Sequence, residues 1–437
     1  HIGGDEIGDI GLCPRCKGMA EEIGEEGLYL YWLNKICDIA NANGRIPIFW
    51  DDMPLKMAGV YESTWNVEYS QDQSAKDWEI GEPKLDQLIK GFPDNCVYMR
   101  WNYELGKLPG NIKTLDWYRK NNMQFMVSTA AQTGGHLFPK DDRTGSMSDG
   151  GPAAIRSFLQ LAIEKNADGM LSTAWDDHSL HFETYWRGFI ASAEYSWSSK
   201  GISLEDFDLA FLQKEFNIVE PNYYQLYKKL TEASNFWGMA FMRIGDRSDI
   251  RNALINLPGL AHWIPEAEKD KQQEKTDFTD IVIELPRLET PGTWIKKYED
   301  RLEEAAIILE NYNSTSEKID ELYTRSQINR YHWEIFKALN DFQVSAPVLL
   351  LAIKQCDTAD ENQRNLGKEN IKGALATFNE SWENLKTVYS KTRFISYPDN
   401  YVPDRYFHFA SQREDLSWMI QAEELFHEMI NAWMKEF

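Results

Sequence analysis

At 437 residues the chain is long enough to bury a large core and to form roughly two or three domains. Its formal net charge of −23 excludes a typical nucleic-acid-binding protein and argues against an anionic membrane surface, because both partners require clustered lysine and arginine. No stretch approaches the roughly 20 apolar residues of a membrane span, and no signal peptide is recognised. A neutral partner such as a carbohydrate is compatible with this charge, and cytoplasmic, periplasmic and secreted locations all stay open.

The first part of the chain alternates short apolar runs with helical stretches, which is the pattern of βα units. The apolar runs predict strands at residues 1–7, 46–50, 96–101, 124–129 and 169–175. Helical spacing predicts helices at residues 20–42, 84–90, 111–120, 152–165 and 183–196. Most of the strands are rich in β-branched or aromatic residues, as expected for parallel strands that are buried on both faces.

Helices dominate the sequence from about residue 203 onward. Apolar residues at helical spacing predict helices at residues 206–216, 223–242, 294–311, 314–354, 362–389 and 406–433. Their aromatic residues, such as Trp333, Trp382 and Trp418, are expected to belong to the core of a bundle. We therefore predict two domains, one built from βα units at residues 1–202 and a helical bundle domain at residues 203–437.

Each predicted strand ends in a polar or aromatic cluster before its helix. The clusters are G-G-D-E at residues 3–6, W-D-D at 50–52, W-N-Y-E at 101–104, S-T-A-A-Q at 128–132 and A-W-D-D at 174–177. Because the carboxyl ends of parallel strands meet at one edge, this pattern predicts the active-site face of a (β/α) barrel. A doubly wound open sheet would also bring the clusters together, but it normally carries a glycine-rich phosphate loop, which the sequence lacks.

Two adjacent carboxylic acids, Asp5 and Glu6, follow the paired glycines of the first cluster. Neighbouring side chains on a regular strand point to opposite faces, but both can turn toward the barrel mouth where the chain leaves the strand. Crowding two carboxylates raises the pKa of one of them, which places a proton donor beside a permanent anion. Glycosidic cleavage needs both groups, so the pair indicates a glycosidase, whereas a solvated charged loop is the alternative.

The sequence H-I-G-G-D-E at residues 1–6 resembles the H-x-G-G-D-E signature of the family 20 glycoside hydrolases, the β-N-acetylhexosaminidases, at the end of their fourth barrel strand. The resemblance implies retaining, substrate-assisted removal of terminal N-acetylglucosamine or N-acetylgalactosamine. Glu6 would protonate the departing glycosidic oxygen and later activate water. Asp5 would hold the 2-acetamido group, whose carbonyl oxygen attacks the anomeric carbon and forms an oxazolinium intermediate.

The later clusters are similar to the sugar pocket of the same family in their order along the chain. Tyr103 would bind the acetamide carbonyl and complete the catalytic set. The implied substrate-binding residues are His1, Trp50, Asp52, Trp101, Trp175 and Asp177. Indole rings would cover the apolar face of the sugar, and carboxylates would accept hydrogen bonds from its hydroxyls. Asp177 stands where the family usually has glutamate, and the W-D-D-M sequence at residues 50–53 looks closer to the hexosaminidase D-like branch.

Placing residues 1–7 as the fourth strand implies that the chain holds strands 4–8 of an eight-stranded TIM barrel, followed by an all-α domain. In the family, an arginine from the first strand and an aspartate–histidine pair from the third assist substrate binding. Neither can come from these 437 residues. We therefore expect a truncated or cleaved product of a complete enzyme, or a second chain that completes the barrel, and we expect no cofactor.

Two other functions fit the same residues. A non-catalytic carbohydrate-binding or scaffolding protein would keep the sugar pocket without turnover. A different barrel glycosidase would use Glu6 as the acid and Asp52 or Asp177 as a covalent nucleophile. Weaker candidates for the mouth of the barrel are Glu62, Trp65, Asn66, Gln132, Thr133, His136, His178, His181 and Glu183.

The cysteines Cys13, Cys16, Cys37, Cys96 and Cys356 are odd in number and do not form a disulfide framework. The C-P-R-C sequence at residues 13–16 is compatible with half a zinc site, a redox pair or a buried thiol pair. Since no second close pair follows, we expect no metal and a structural role for these two thiols.

Overall fold

The computed structural model describes residues 1–8, 10–132, 136–145, 147, 149–175, 182–198, 200–243, 282–396 and 416–435. Within these residues four parallel strands form one sheet in sequential order. They are β1 (Ile48–Trp50), β2 (Val97–Trp101), β3 (Phe125–Gln132) and β4 (Met170–Ala174). Each strand pairs with the next one along the chain, as in successive βα units. The predicted mixed α/β class is confirmed, whereas the numbering of these strands as part of an eight-stranded barrel stays a prediction.

The segment at residues 1–7 is not a regular strand, which corrects the sequence prediction. It pairs with β1 through two backbone hydrogen bonds, from the Ile2 amide to the Ile48 carbonyl (2.9 Å) and from the Trp50 amide to the Gly3 carbonyl (3.1 Å). Gly3 and Gly4 then adopt φ values of 72° and 96°, which are incompatible with an extended strand. The chain therefore leaves the sheet edge directly before the two acids.

Six helices accompany the sheet: α1 (Lys17–Ala42), α2 (Asp52–Ala58), α3 (Gln71–Leu88), α4 (Pro109–Lys120), α5 (Gly151–Glu164) and α6 (Phe182–Trp197). Two of them differ from the prediction. Helix α3 begins well before the predicted residue 84, because Ser70 caps it and Pro83 is accommodated inside it. Helix α2, which was not predicted, begins directly after β1 and thereby places Asp52 in its first turn.

In the part of the chain that the structure describes, the remaining helices are α7 (Leu204–Phe216), α8 (Tyr223–Met239), α9 (Thr293–Lys297), α10 (Glu299–Arg325), α11 (Tyr331–Gln343), α12 (Ser345–Lys354), α13 (Glu361–Tyr389) and α14 (Gln421–Trp433). The predicted break between residues 311 and 314 is wrong, since α10 continues to Arg325. The chain breaks instead where Ser326 becomes extended and Asn329 adopts a φ of 52°. Residues 406–415 of the last predicted helix lie outside the described residues.

The described residues form two hydrophobic clusters, one around the sheet with α1–α6 and one within the helical region. Trp333 and Trp382 belong to the helical cluster, as expected. Phe207 on α7 packs against the sheet cluster, so the boundary at residue 202 stays a prediction. The segment Tyr331–Lys354 is long and apolar enough to cross a membrane, but 78% of its most apolar window is buried in this structure. Its packing is therefore that of a core helix pair.

Candidate active site at the carboxyl edge of the sheet

The segments that follow the strands are held against one another at the carboxyl edge of the sheet. The amides of Asp51 and Asn102 donate to the carbonyls of Met99 (3.2 Å) and Ser128 (3.1 Å) on the neighbouring strands. The Trp175 amide donates to the carbonyl of Gln132 at 2.9 Å. These bonds continue the parallel ladder past the strand ends, so the side chains that follow β1, β2 and β4 share one edge.

The glycines before the acids allow the chain to pass close to helix α1. The Tyr29 hydroxyl donates to the Gly4 carbonyl at 3.1 Å. A Cβ on Gly4 would lie 3.3 Å from both the Trp32 ring and the Tyr29 hydroxyl. With its φ of 96° in addition, this position accommodates only glycine without strain. The G-G step therefore ties the acid-bearing loop to α1.

Glu6 adopts a left-handed conformation with φ of 49°. Its amide donates to Oδ2 of Asp52 at 2.9 Å, and its side chain is exposed. A non-glycine residue in this region costs about 1–2 kcal/mol. A hydrogen bond to a charged acceptor contributes about 1.5–3 kcal/mol, which is enough to offset that strain.

Asp52 is fully buried and also accepts a hydrogen bond from Nζ of Lys56, one helical turn later, at 2.7 Å. Its other oxygen, Oδ1, has no hydrogen-bond partner among the described residues. Direct contact with a sugar hydroxyl, the role expected from the sequence, is not available to a side chain with no exposed surface. The geometry favours a different role, in which Asp52 fixes the backbone of Glu6.

Asp5 is half-buried, and its pKa is raised. Burial is the largest cause, the negative charge of Asp52 adds to it, and the positive charge of Lys56 opposes it. The sequence argument expected crowding of Asp5 and Glu6 to raise one pKa. The structure places the raised pKa on Asp5, with burial rather than crowding as the main cause.

Three aromatic side chains line the edge beside the acids. The ring centroids of Trp50 and Trp175 are 6.1 Å apart, and the His1 ring lies 4.4 Å from that of Trp50. Trp50 is buried, whereas Trp175 is 37% exposed and offers a surface that a sugar ring could cover. Asp177, which follows Trp175 in the sequence prediction, lies outside the described residues.

Tyr103 connects this aromatic wall to the next strand end. Its hydroxyl accepts a hydrogen bond from Nε1 of Trp175 at 2.9 Å, and its ring stacks on Trp101 at 5.2 Å. Burial raises the Tyr103 pKa well above its usual value, and the negative charge of Asp5 raises it further. The hydroxyl is therefore protonated at neutral pH and can donate a hydrogen bond to a carbonyl. Nε1 of Trp101 is buried without a partner in the described part of the chain.

A buried ion pair between Arg100 and Asp51, which the sequence analysis did not predict, joins β2 to the residue that follows β1. Nη1 of Arg100 on β2 donates to Oδ1 of Asp51 at 3.0 Å, and the Tyr118 hydroxyl donates to Oδ2 at 2.6 Å. Arg100 also binds Asn111 (2.7 Å) and Thr64 (3.1 Å). Burial raises the pKa of Asp51 to about 6, although Arg100 and Tyr118 both oppose the rise. An arginine inside an otherwise apolar strand was the available signal, because a buried guanidinium needs a carboxylate partner.

The weaker candidates are dispersed. Nε2 of Gln132 donates to the carbonyl of His136 at 2.8 Å. Glu183, in the first turn of α6, binds Nη2 of Arg393 through both carboxylate oxygens at 2.9 Å. Trp65 is exposed, as is Glu62. Thr133, His178 and His181 lie outside the described residues, and no group of three or more metal-ligating side chains occurs within the described ranges.

No family model and no curated protein matches this chain. Among solved structures the chain is similar to a GH138 enzyme targeting pectin rhamnogalacturonan II, with a TM-score of 0.34 and 10% sequence identity. The match covers 99% of this chain and 75% of that one. That protein is a glycoside hydrolase, but a similarity at this level does not transfer an activity.

Proposed function

We propose that the carboxyl edge of the sheet is the active site of a retaining exo-β-N-acetylhexosaminidase that removes terminal N-acetylglucosamine or N-acetylgalactosamine. Glu6 is the general acid and base, Asp5 orients the 2-acetamido group, and Tyr103 binds its carbonyl oxygen. Trp50, Trp101 and Trp175 form the apolar walls of the sugar pocket, and His1 and Asp177 complete it. Asp52 has a positioning role in this proposal.

The observation that carries the proposal is the difference in solvent exposure between Glu6 and Asp5. Glu6 is exposed at the end of a loop whose backbone is fixed by Asp52, so its carboxyl group can reach a leaving group from solvent. Asp5 is half-buried, and its charge acts on the Tyr103 hydroxyl. One acid is thus open to solvent, and the other is partly buried and close enough to Tyr103 for its charge to act on that hydroxyl, which fits protonation by Glu6 and acetamide binding by Asp5.

In the first step the Glu6 carboxyl group transfers its proton to the glycosidic oxygen as the bond to the anomeric carbon breaks. The acetamide carbonyl oxygen forms the new bond to that carbon, and its N–H donates to Asp5 while positive charge develops. In the second step the Glu6 carboxylate accepts a proton from water, which attacks the anomeric carbon and opens the oxazolinium ring. Two inversions give net retention of configuration.

The direct test is hydrolysis of a fluorogenic β-N-acetylglucosaminide, compared with the corresponding β-glucoside, which lacks the acetamido group. We expect the glucoside to be inert and Glu6→Gln to reduce kcat by roughly 10²–10⁴-fold, because general acid catalysis contributes about that much. Glu22→Gln, an exposed acid on α1, is the matched control and should leave the rate unchanged.

Binding of a thiazoline mimic of the oxazolinium intermediate, measured by calorimetry, separates the alternatives. Thiazoline binding that is lost when Asp5 is replaced supports the proposed mechanism. Sugar binding without turnover, unaffected by Glu6→Gln, would indicate a carbohydrate-binding protein instead. A trapped covalent glycosyl-enzyme would contradict the substrate-assisted route, and the absence of both binding and turnover would contradict the proposal for this chain.

A further inference from the structure

Cys13 and Cys16 lie in the loop that joins the acid-bearing segment to helix α1. The amides of Cys16 and Lys17 both donate to the Cys13 carbonyl at 3.0 Å, so the two cysteines close a single turn directly before α1. The α carbons of residues i and i+3 in such a turn are less than about 7 Å apart. A disulfide spans α-carbon distances of about 4.4–6.8 Å, so the backbone already has a spacing that a disulfide can bridge.

Both cysteine side chains are partly exposed. This excludes the buried thiol pair that the sequence left open. The zinc alternative lacks further ligands within the described ranges. A structural zinc site is almost always four-coordinate, and one pair of sulfurs cannot complete it. Of the three alternatives, a solvent-accessible dithiol fits the geometry best.

The pKa values of the two cysteines also shift in opposite directions, which indicates a different role for each sulfur. The Cys13 pKa is lowered, mainly because its thiolate accepts a hydrogen bond from the Cys16 thiol, and nearby Arg15 adds to the effect. The Cys16 pKa is raised by the same hydrogen bond. By contrast, burial raises the pKa values of Cys37 to about 11, Cys96 to about 12 and Cys356 to about 11. A thiolate with a lowered pKa that is open to solvent is the reactive kind, and buried thiols are inert.

We propose that Cys13 and Cys16 are a redox-active dithiol that exchanges with low-molecular-weight disulfides of the glutathione type. The Cys13 thiolate attacks one sulfur of the disulfide, forms a mixed disulfide and releases one glutathione thiolate. The Cys16 thiolate then attacks the Cys13 sulfur, forms the Cys13–Cys16 bond and releases the second glutathione. The protein loses two protons and two electrons, and one oxidised glutathione takes them up to become two reduced ones. The proposal does not depend on the hydrolase activity.

The experiment treats the full chain with oxidised glutathione and measures its intact mass and tryptic peptides. We expect the native protein to lose two hydrogens, located at residues 13–16, without a retained glutathione adduct. The Cys16→Ser variant should retain one glutathione on Cys13, because the resolving thiol is gone. The Cys13→Ser variant should form its adduct at least about tenfold more slowly, because the thiol with the lowered pKa is absent.

Two controls protect this test against misfolding. The three buried cysteines serve as internal references, because they should resist alkylation in the folded protein and react only in urea. A redox titration of the unaltered protein with mixtures of reduced and oxidised glutathione should give one two-electron transition. The proposal is overturned if oxidation adds glutathione without closing the disulfide, or if Cys13→Ser reacts as fast as Cys16→Ser.

Discussion

Replacing His332 with phenylalanine should remove a measurable part of the loss of stability on acidification. His332, the second residue of α11, is 7% exposed, and its ring lies 4.9 Å from that of Phe216 and 4.3 Å from that of Phe336. Its Nε2 atom has no hydrogen-bond partner in the parts of the chain that the structure describes. Burial lowers the His332 pKa from 6.5 to about 3.

The sign follows from the pKa values of the two states. Above pH 6.5 the imidazole is neutral in both the folded and the unfolded chain, and stability is fully present. As the pH falls from 6.5 toward 3, the unfolded chain binds a proton that the folded chain does not, so stability is lost. At pH 5 the loss is about 2 kcal/mol, from 2.303RT·log(1 + 10^1.5), and it depends on the unfolded pKa as long as the folded pKa stays well below 5.

The assay is urea unfolding followed by far-ultraviolet circular dichroism at pH 7 and pH 5, for the native protein and for His332→Phe. Phenylalanine has a similar shape, so its packing effect should be the same at both pH values. Asp51 has the opposite pH dependence, since its pKa of about 6 lies above the usual carboxyl value and folding then gains stability as the pH falls. That contribution is present in both proteins and cancels in the difference.

We therefore expect the difference in unfolding free energy between the native protein and the variant to change by about 2 kcal/mol between pH 7 and pH 5. A change below about 0.5 kcal/mol would refute the reasoning, because it would mean that folded His332 accepts the proton. The carboxylates placed to stabilise that charge are Glu183 and Glu215, which line a cavity of about 310 Å³ together with His332.

Other consequences concern the candidate active site. Asp52→Asn should lower kcat by roughly 10–100-fold, because it weakens the hydrogen bond that fixes the Glu6 amide. The same change should move the acidic limb of the pH–rate profile to lower pH, because the charge of Asp52 raises the Asp5 pKa. Lys56→Met, assayed in the same profile, should move that limb to higher pH. Asp51→Asn should lower the unfolding free energy by about 3–5 kcal/mol in the same urea assay, because it leaves Arg100 buried with its charge uncompensated. Acidic limbs that shift in the same direction for Asp52→Asn and Lys56→Met would contradict the first two assignments. An unchanged urea midpoint for Asp51→Asn would contradict the third.

The sheet could be predicted because buried parallel strands leave a direct mark on the sequence. Each of the runs 46–50, 96–101, 124–129 and 169–175 contains or overlaps one of the strands β1–β4. The run at residues 1–7 was misassigned because its apolar character is interrupted by Gly3 and Gly4, whose positive φ values end the pairing after two hydrogen bonds. Helix α3 is longer than the spacing at residues 84–90 predicted, since it begins at Gln71 and contains Pro83 within it.

The site could be predicted in part for a similar reason. Side chains that follow parallel strands must share an edge, so the proximity of Trp50, Tyr103 and Trp175 follows from the chain order alone. The partners that hold the edge together could not be predicted, because Tyr29 and Lys56 meet it from helices whose orientation only tertiary packing decides. The same packing buries Asp52 and changes its expected role.

The backbone of Glu6 gives an argument for function that does not depend on resemblance. Six non-glycine residues in the described part of the chain have positive φ, and four are asparagines, the residue type that tolerates this conformation best. Those four are Asn122, Asn166, Asn217 and Asn329. A loop under no other demand would carry glycine or asparagine at position 6 as well. Glu6 instead adopts a strained left-handed conformation, which a hydrogen bond from its amide to the buried Asp52 stabilises. A glutamate at such a position favours a chemical requirement for a carboxyl group at this point of the sheet edge.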